Sequence, residues 1–117
     1  MNDCVFCNPT VVKSSILEND LAYAIWDKFP KGQGHSLVIT KRHVPNFFEA
    51  TPAERTAVAE LAVELKKMLA DRFSPEGYNV FTNVNKVSGQ EVFHYHLHVL
   101  PRYKDDGVKM VGGTWTA

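Results

Sequence analysis

The segment Val92-Phe93-His94-Tyr95-His96-Leu97-His98-Val99-Leu100 places three histidines at alternate positions. Alternate side chains of a β-strand point to the same face, so the segment predicts a strand with one row of imidazoles and one apolar face. Pro101 is expected to end this strand. The chain has only five histidines, and chance seldom spaces three of them this regularly, so the pattern indicates a functional site. The residues expected to pack into the core are Phe93, Tyr95, Leu97 and Val99.

A row of imidazoles could bind a metal ion or take part in catalysis. On a straight strand the Cα atoms of His94 and His98 would lie about 13 Å apart, too far for all three rings to converge on one zinc ion. Neutral imidazole instead suits a nucleophile, with one ring nitrogen reactive and the other held by a neighbour. His96 lies at the centre of the row, with His94 and His98 on either side to orient it, and is therefore best placed to act as the nucleophile.

Length and composition predict one globular domain. The chain has 117 residues, of which 44% are hydrophobic and 22% charged, and this is enough for one core but not for two. A formal net charge of zero argues against nucleic acid or a membrane surface as a partner. Two cysteines, no apolar run of bilayer length and no leader-like segment predict a cytoplasmic protein. A single domain is expected over residues 1–117, with 103–117 as a C-terminal tail.

Hydrophobic periodicity along the chain predicts an α+β fold. The expected strands are 15–18, 21–27, 36–41 and 78–84, together with the histidine strand. A long helix is expected from its cap at Thr51 to the Ser74-Pro75 pair, with Glu54 completing a capping box. A short helix is expected around 46–50. A five-stranded antiparallel sheet with one long and one short helix follows. The apolar stripe of the long helix would be Val58, Leu61, Ala62, Leu65, Met68 and Leu69.

The stretch from Gly89-Gln90 through the three histidines to Arg102 resembles the signature of the histidine triad (HIT) family of nucleotide hydrolases and transferases. Residues 34–43 are similar to a second characteristic strand of that family, and Cys4-Val5-Phe6-Cys7 to the amino-terminal pair of many bacterial members. The resemblance implies the HIT fold, a homodimer, and a purine nucleotide or an adenylated small molecule as the substrate.

The resemblance also implies roles for individual residues. His96 would carry the covalent nucleotide, with its other nitrogen held by the backbone carbonyl of His94, and His98 would donate to an α-phosphate oxygen. Glu91 stands where many members carry Ser or Thr; because a carboxylate would repel phosphate, it is expected to point away from the site. The remaining implied positions are His35 and Gln90 in catalysis and Ile25, Asp27, Asn83, Gln90 and His98 in substrate binding.

The Cys4 and Cys7 pair permits two interpretations. By itself the C-x-x-C spacing fits a redox pair or two incidental thiols. The resemblance implies instead a structural zinc ion with four ligands, namely Cys4, Cys7, His43 and His94. In that case His94 would bind the metal while His96 and His98 perform the chemistry.

Two functions remain open from the sequence. The first is a HIT-type phosphohydrolase, or a nucleotidyl transferase, that cleaves at the α-phosphate of a dinucleoside polyphosphate or a nucleoside phosphoramidate. The second is a non-catalytic nucleotide-binding module that regulates or binds other proteins. The intact row of histidines favours the enzyme, because binding alone needs no nucleophile. His98 disfavours uridylyl transfer, since the transferase branch of the family typically has glutamine at that position.

Overall fold

The computed structural model describes residues 3–109, which form a five-stranded antiparallel sheet in the order β1-β2-β3-β5-β4. A long helix and a short helix accompany the sheet, which confirms the predicted α+β fold class. The last residues of the expected C-terminal tail, 110–117, lie outside the described residues. The elements are α1 (Pro9–Lys13), β1 (Leu17–Glu18), β2 (Ala22–Trp26), β3 (Ser36–Thr40), α2 (Pro52–Phe73), β4 (Gly77–Phe81) and β5 (His96–Arg102).

The two faces of the sheet have different partners because side chains alternate along each strand. One face, with Ala24 and Val38, packs against α2 in the main core. The other face, with Ile25 and Leu37, packs against the amino-terminal segment that includes Phe6. The sheet is therefore covered on one side by the long helix, while the amino terminus covers part of the opposite side.

Helix α2 begins as the sequence predicts. Thr51 accepts a hydrogen bond from the Glu54 N–H at 3.1 Å, and the Glu54 carboxylate accepts one from the Thr51 N–H at 2.9 Å, which completes the capping box. Arg42 donates two hydrogen bonds to the same carboxylate and thereby lowers the pKa of Glu54 to about 2. This ion pair ties the start of α2 to the segment that follows β3. The helix ends at Phe73, where Ser74 adopts a left-handed conformation.

The predicted apolar stripe of α2 packs against the sheet. Four of its members are buried in the main core, and the other two pack against that core while remaining partly exposed. The buried members are Val58, Leu61, Leu65 and Leu69, and the partly exposed ones are Ala62 and Met68. Within residues 3–109, no helix is both long enough and apolar enough to cross a membrane.

The short helix lies elsewhere than expected. Residues 46–50 contain only a 3-10 turn, Phe47–Glu49, whereas the short α-helix is Pro9–Lys13. The side chain of Asn8 caps this helix by accepting from the Thr10 N–H, and Pro9 occupies its first turn. An Asn-Pro pair is an ordinary helix-start signal, so the sequence carried the information.

The prediction that the histidine strand begins at Val92 and ends before Pro101 is wrong at both ends. Strand β5 begins at His96, which pairs with Ile39 next to the last residue of β3, whereas its pairing with β4 reaches only to His98 opposite Phe81. Phe93 therefore lies outside the strand and is 48% exposed instead of packing in the core. Pro101 is tolerated because the β3–β5 pairing has already ended at Ser36 and Val99, which leaves β5 with one open side.

Candidate functional site

His96 is held in one tautomer by the backbone. Its Nδ1 lies 2.8 Å from the carbonyl oxygen of His94, and a carbonyl can only accept, so Nδ1 carries the proton. The lone pair of the neutral ring is then on Nε2. Burial lowers the pKa of His96, which keeps the ring neutral near pH 7. A neutral imidazole with a free Nε2 lone pair has the electronic form of a nucleophile.

His98 is oriented through a chain of hydrogen bonds. The Lys31 backbone N–H donates to His35 Nδ1 at 3.0 Å, so the proton of a neutral His35 is on Nε2. That Nε2–H lies 3.0 Å from His98 Nδ1 and 3.3 Å from an oxygen of Asp27. His98 accepts at Nδ1 and therefore keeps its own proton on Nε2, as a donor. Burial, the largest cause, lowers the pKa of His98 to about 4.

His94 faces away from His96 and His98. Its ring is fully buried, and its Nε2–H donates to the carbonyl oxygen of Thr40 at 2.6 Å. The Nδ1 lone pair points instead to the thiols of Cys4 and Cys7, at 3.3 and 3.4 Å. The expected single row of three imidazoles is therefore not formed, because His94 precedes β5 and its ring is not placed by the strand's alternation.

Four side chains converge where His94 points. Cys7 Sγ lies 3.3 Å from His43 Nδ1, and the ligand atoms of Cys4, Cys7, His43 and His94 all lie within 4.8 Å of one another. Around a tetrahedral zinc ion, nitrogen and sulfur ligand atoms are separated by about 3.6 Å, from bond lengths near 2.1 and 2.3 Å. The donor set and its spacing therefore fit zinc.

A cavity of about 600 Å³ opens over the sheet face that carries His96 and His98. Its volume is that of a site for a small organic ligand. Apolar and polar groups share its surface, so it can enclose an aromatic ring and still bind polar substituents. The lining includes Val5, Phe6, Val11, Ile25, Asp27, Leu37, Phe81, Asn83, Glu91, His96 and His98.

Most of the expected substrate-binding residues line this cavity, but Gln90 does not. Ile25, Asp27 and Asn83 line it. The buried Gln90 amide accepts from the Asn85 N–H at 2.7 Å and donates to the carbonyls of Pro45 and Val92 at 2.6 and 3.0 Å. With these three backbone contacts, the Gln90 amide holds the segment before β5 in place. It does not face the cavity. His35 lies behind His98 and is also buried.

Two features of the lining were not expected from the sequence. Glu91, whose carboxylate is expected to point away, is among the residues that line the cavity. The segment between the two cysteines also forms part of that wall, and the Phe6 ring lies 5.1 Å from the ring of His96. The Tyr23 hydroxyl donates to the Phe6 carbonyl at 2.5 Å and anchors the segment. In the sequence, only the pair Cys4 and Cys7 indicated that the amino-terminal segment packs near the histidines.

Comparisons with known proteins agree on one family. A family model described as the HIT domain matches residues 8–105. An uncharacterized HIT-like protein of Mycoplasma pneumoniae is 41% identical over 106 residues, covering 88% of this chain and 74% of that protein. An adenylylsulfatase of Arabidopsis thaliana is 32% identical over 108 residues, covering 90% of this chain and 55% of that protein.

Two solved structures share the fold over nearly the whole chain. The crystal structure of a HIT family protein from Bacillus anthracis has a TM-score of 0.87 and 30% identity, and covers 99% of this chain and 83% of that chain. A Zn-bound histidine triad family protein from Mycobacterium smegmatis has a TM-score of 0.82 and 30% identity, and covers 92% of this chain and 81% of that chain.

We expect the free energy of unfolding to fall as the pH drops from about 6.5 towards about 4. Burial lowers the pKa of His35 and brings that of His98 to about 4, whereas unfolded imidazoles titrate near 6.5. In this range the unfolded chain binds more protons, so stability rises with pH. Urea unfolding at pH values of about 7, 5.5 and 4.5 measures the effect. A His98→Gln variant should show a smaller fall, and an identical fall in both proteins would contradict the assignment.

Proposed function

Because the chain belongs to the HIT domain family, we propose that it is a nucleotide hydrolase that cleaves at an α-phosphate through a nucleotide bound covalently to His96. The substrate class is a nucleoside phosphoramidate, a dinucleoside polyphosphate or a related adenylated compound. One observation carries the proposal: the hydrogen bond from His96 Nδ1 to the His94 carbonyl leaves the Nε2 lone pair available beside a ligand-sized cavity. A purely structural histidine would not require this arrangement.

The reaction proceeds in two displacements. His96 Nε2 forms a bond to the α-phosphorus, the bond from phosphorus to the leaving atom breaks, and the leaving group takes the electron pair and a proton from water. A hydroxide equivalent from the same water then bonds to phosphorus, and the phosphorus–nitrogen bond breaks with its electron pair returning to Nε2. The net reaction adds one water and releases a nucleoside monophosphate and the protonated leaving group.

Other residues would stabilise charge and hold the nucleotide. His98 donates from Nε2 to a phosphate oxygen, and its tautomer is maintained by His35. Asp27 and Asn83 provide an acceptor and an amide for the ribose and phosphate groups. Ile25 and other apolar residues contact the base. The relationship to a plant adenylylsulfatase supports a substrate with an adenylyl group.

Replacing the nucleophile tests the reaction. In a His96→Ala variant we expect turnover to fall by about a thousandfold or more, equivalent to about 4 kcal/mol of transition-state stabilisation. Steady-state assays on an adenosine phosphoramidate and a dinucleoside polyphosphate measure turnover, and calorimetry with a nucleoside monophosphate measures binding. Nucleotide affinity should change little, since the other lining residues remain. Near-normal turnover of the variant would exclude His96 as the nucleophile, and a parent that binds but cleaves nothing would favour the non-catalytic module.

We also propose that Cys4, Cys7, His43 and His94 hold a structural zinc ion. When bound, zinc would cross-link three distant parts of the sequence and supply no open coordination position for catalysis. Arg42 precedes His43 in the chain and forms two hydrogen bonds to Glu54 at the start of α2. This pairing holds the backbone next to His43, one of the four proposed zinc ligands. The Zn-bound mycobacterial structure supports this choice of metal.

Removing a thiol should release the metal and loosen the cavity wall. For Cys4→Ser and Cys7→Ser we expect loss of about one zinc per chain, a lower melting temperature and weaker nucleotide binding. The last effect follows because Val5 and Phe6 lie between the cysteines and line the cavity. Elemental analysis, thermal unfolding and calorimetry provide the three readouts. Metal-free parent protein with a Cys4–Cys7 disulfide would support the redox interpretation instead.

We further propose that the protein is a homodimer joined along β4. In the described residues β4 pairs with β5 alone, so its other edge is open, and Val80 on this strand is 56% exposed. An open edge presents unpaired backbone groups to a second copy.

Sedimentation velocity should give about twice the 13.2 kDa mass of one chain at micromolar concentration. A Val80→Lys variant should shift the protein towards monomer, because a charged side chain disfavours edge pairing. Val87→Lys is the matched control, since Val87 is 99% exposed and lies outside β4. A monomeric parent would exclude this assembly.

A further inference from the structure

Phe81 stacks face to face on the ring of His98. The two ring centroids lie 4.5 Å apart, and the ring planes are inclined by only 6°. Two other rings beside His98, those of His35 and His96, are inclined to it by 40° and 62°. Parallel planes at this separation are a favourable arrangement for two aromatic rings. Phe81 therefore defines the plane in which the His98 ring lies.

This contact follows from the register of the sheet. Phe81 is the last residue of β4 and lies directly opposite His98 on β5, so the two side chains occupy the same face. The backbone on both sides of Phe81 is fixed against β5. The preceding residue continues the β4–β5 ladder, and the hydroxyl of the following Thr82 donates to the His96 carbonyl at 2.8 Å. A firmly held part of the backbone thus carries the Phe81 ring.

The Phe81 ring is not needed to fill the core. It is half-buried and belongs to neither hydrophobic core cluster of residues 3–109. Instead it lines the cavity together with His98. An aliphatic side chain would cover this part of the sheet equally well, whereas only a flat ring aligns the plane of an imidazole. The stack therefore points to a role at the site.

The stack supplies a constraint that the hydrogen bond to His98 leaves open. The Nε2–H of His35 holds His98 Nδ1 at 3.0 Å, but one hydrogen bond tolerates a wide range of tilt of the accepting ring. The torsion that turns an imidazole about its Cβ–Cγ bond is itself broad and does not select one plane. A stacked ring restricts this remaining rotation. Together the two contacts fix the direction of the His98 Nε2–H.

The direction of this donor matters for a phosphate ligand. Donors that are held in advance at the position of the phosphate oxygens stabilise the charge that develops there, and they need no reorganisation during the reaction. An N–H···O hydrogen bond prefers an angle above about 150° and weakens steeply below about 120°. A tilt of the imidazole by about 30° would therefore weaken the contact of the donor with the phosphate.

We propose that Phe81 is a positioning residue that aims the His98 Nε2–H at the phosphate of a bound nucleotide. This inference rests on the proposed hydrolase function, in which His98 donates to a phosphate oxygen. It adds to that function a residue that acts through His98 and has no need to touch the reacting atoms.

A double-mutant cycle of Phe81 and His98, assayed on an adenosine phosphoramidate, tests the proposal. Phe81→Leu keeps an apolar wall but removes the flat ring. We expect kcat to fall about tenfold in this variant while KM changes little, because the donor is misdirected rather than removed. His98→Leu removes the donor itself. When Phe81→Leu is added to His98→Leu, kcat should change by less than about twofold, since the group through which Phe81 acts is already absent.

Two further variants separate orientation from packing. Phe81→Tyr keeps a ring on His98 and should retain kcat within about twofold of the parent. Phe47→Leu is the matched control, because it removes a ring that packs against the main core and lies outside the cavity, and it should leave kcat unchanged. Proton NMR checks the stack itself, since the face of an aromatic ring shields the protons above it. The His98 ring protons should move downfield in Phe81→Leu and stay in place in Phe47→Leu.

Two results would overturn the proposal. An unchanged kcat in Phe81→Leu would show that the stack does not affect the donor. An equal loss of kcat from Phe81→Leu in the parent and in His98→Leu would show that Phe81 acts independently, as part of the cavity wall.

The failure of this proposal can be distinguished from the failure of the hydrolase. If the parent cleaves no nucleotide, the hydrolase is excluded, and calorimetry with adenosine 5′-monophosphate and with adenosine on the proteins of the cycle still decides the role of Phe81. Phe81→Leu should lower the affinity for the monophosphate about fivefold and leave that for adenosine unchanged, and it should have neither effect once His98 is replaced. An equal loss of affinity for both ligands would overturn the proposal.

Discussion

The hydrogen bond between His96 Nδ1 and the His94 carbonyl is the interaction on which the site depends. It fixes the ring orientation and places the lone pair on Nε2. Burial lowers the pKa of His96 and keeps the ring neutral, so the nucleophilic form needs no separate base. Rotation of either residue would break this hydrogen bond. Further hydrogen bonds hold both residues in place. His94 is anchored through Thr40, and the carbonyl of His96 accepts from the Thr82 hydroxyl at 2.8 Å.

His94 joins two sites because its backbone and its side chain serve different partners. The carbonyl orients His96, while the ring nitrogen Nδ1 faces the thiols of Cys4 and Cys7. The amino-terminal segment is drawn to the same place, and its Phe6 ring packs against His96. The cysteine–histidine cluster therefore does more than stabilise the chain end. It positions a wall of the cavity and the main-chain group that sets the tautomer of His96.

Charge is distributed unevenly around this cavity. Asp27 and His35 are engaged with each other and with the backbone, and their hydrogen bonds maintain the donor form of His98. Within residues 3–109 no ion pair or side-chain hydrogen bond engages the exposed Glu91, which follows the turn closed by Gly89 and Gln90. Neutral imidazoles can interact with an anionic phosphate without a bulk positive field.

The sequence by itself determined the elements whose signals are local. Strand-prone runs between turn residues predicted the positions of the strands, although alternation placed Phe93 and His94 wrongly because both precede β5. Thr51, Pro52 and Glu54 predicted the start of α2, because capping uses residues within one turn. The histidine spacing and its flanks indicated the family, which the comparisons confirm. Tertiary structure alone decided the direction of the His94 ring and the use of the Gln90 amide as a support for the segment before β5. Both residues lie outside regular strands, where the orientation of a side chain depends on backbone partners remote in sequence, such as Thr40 and Pro45, rather than on periodicity.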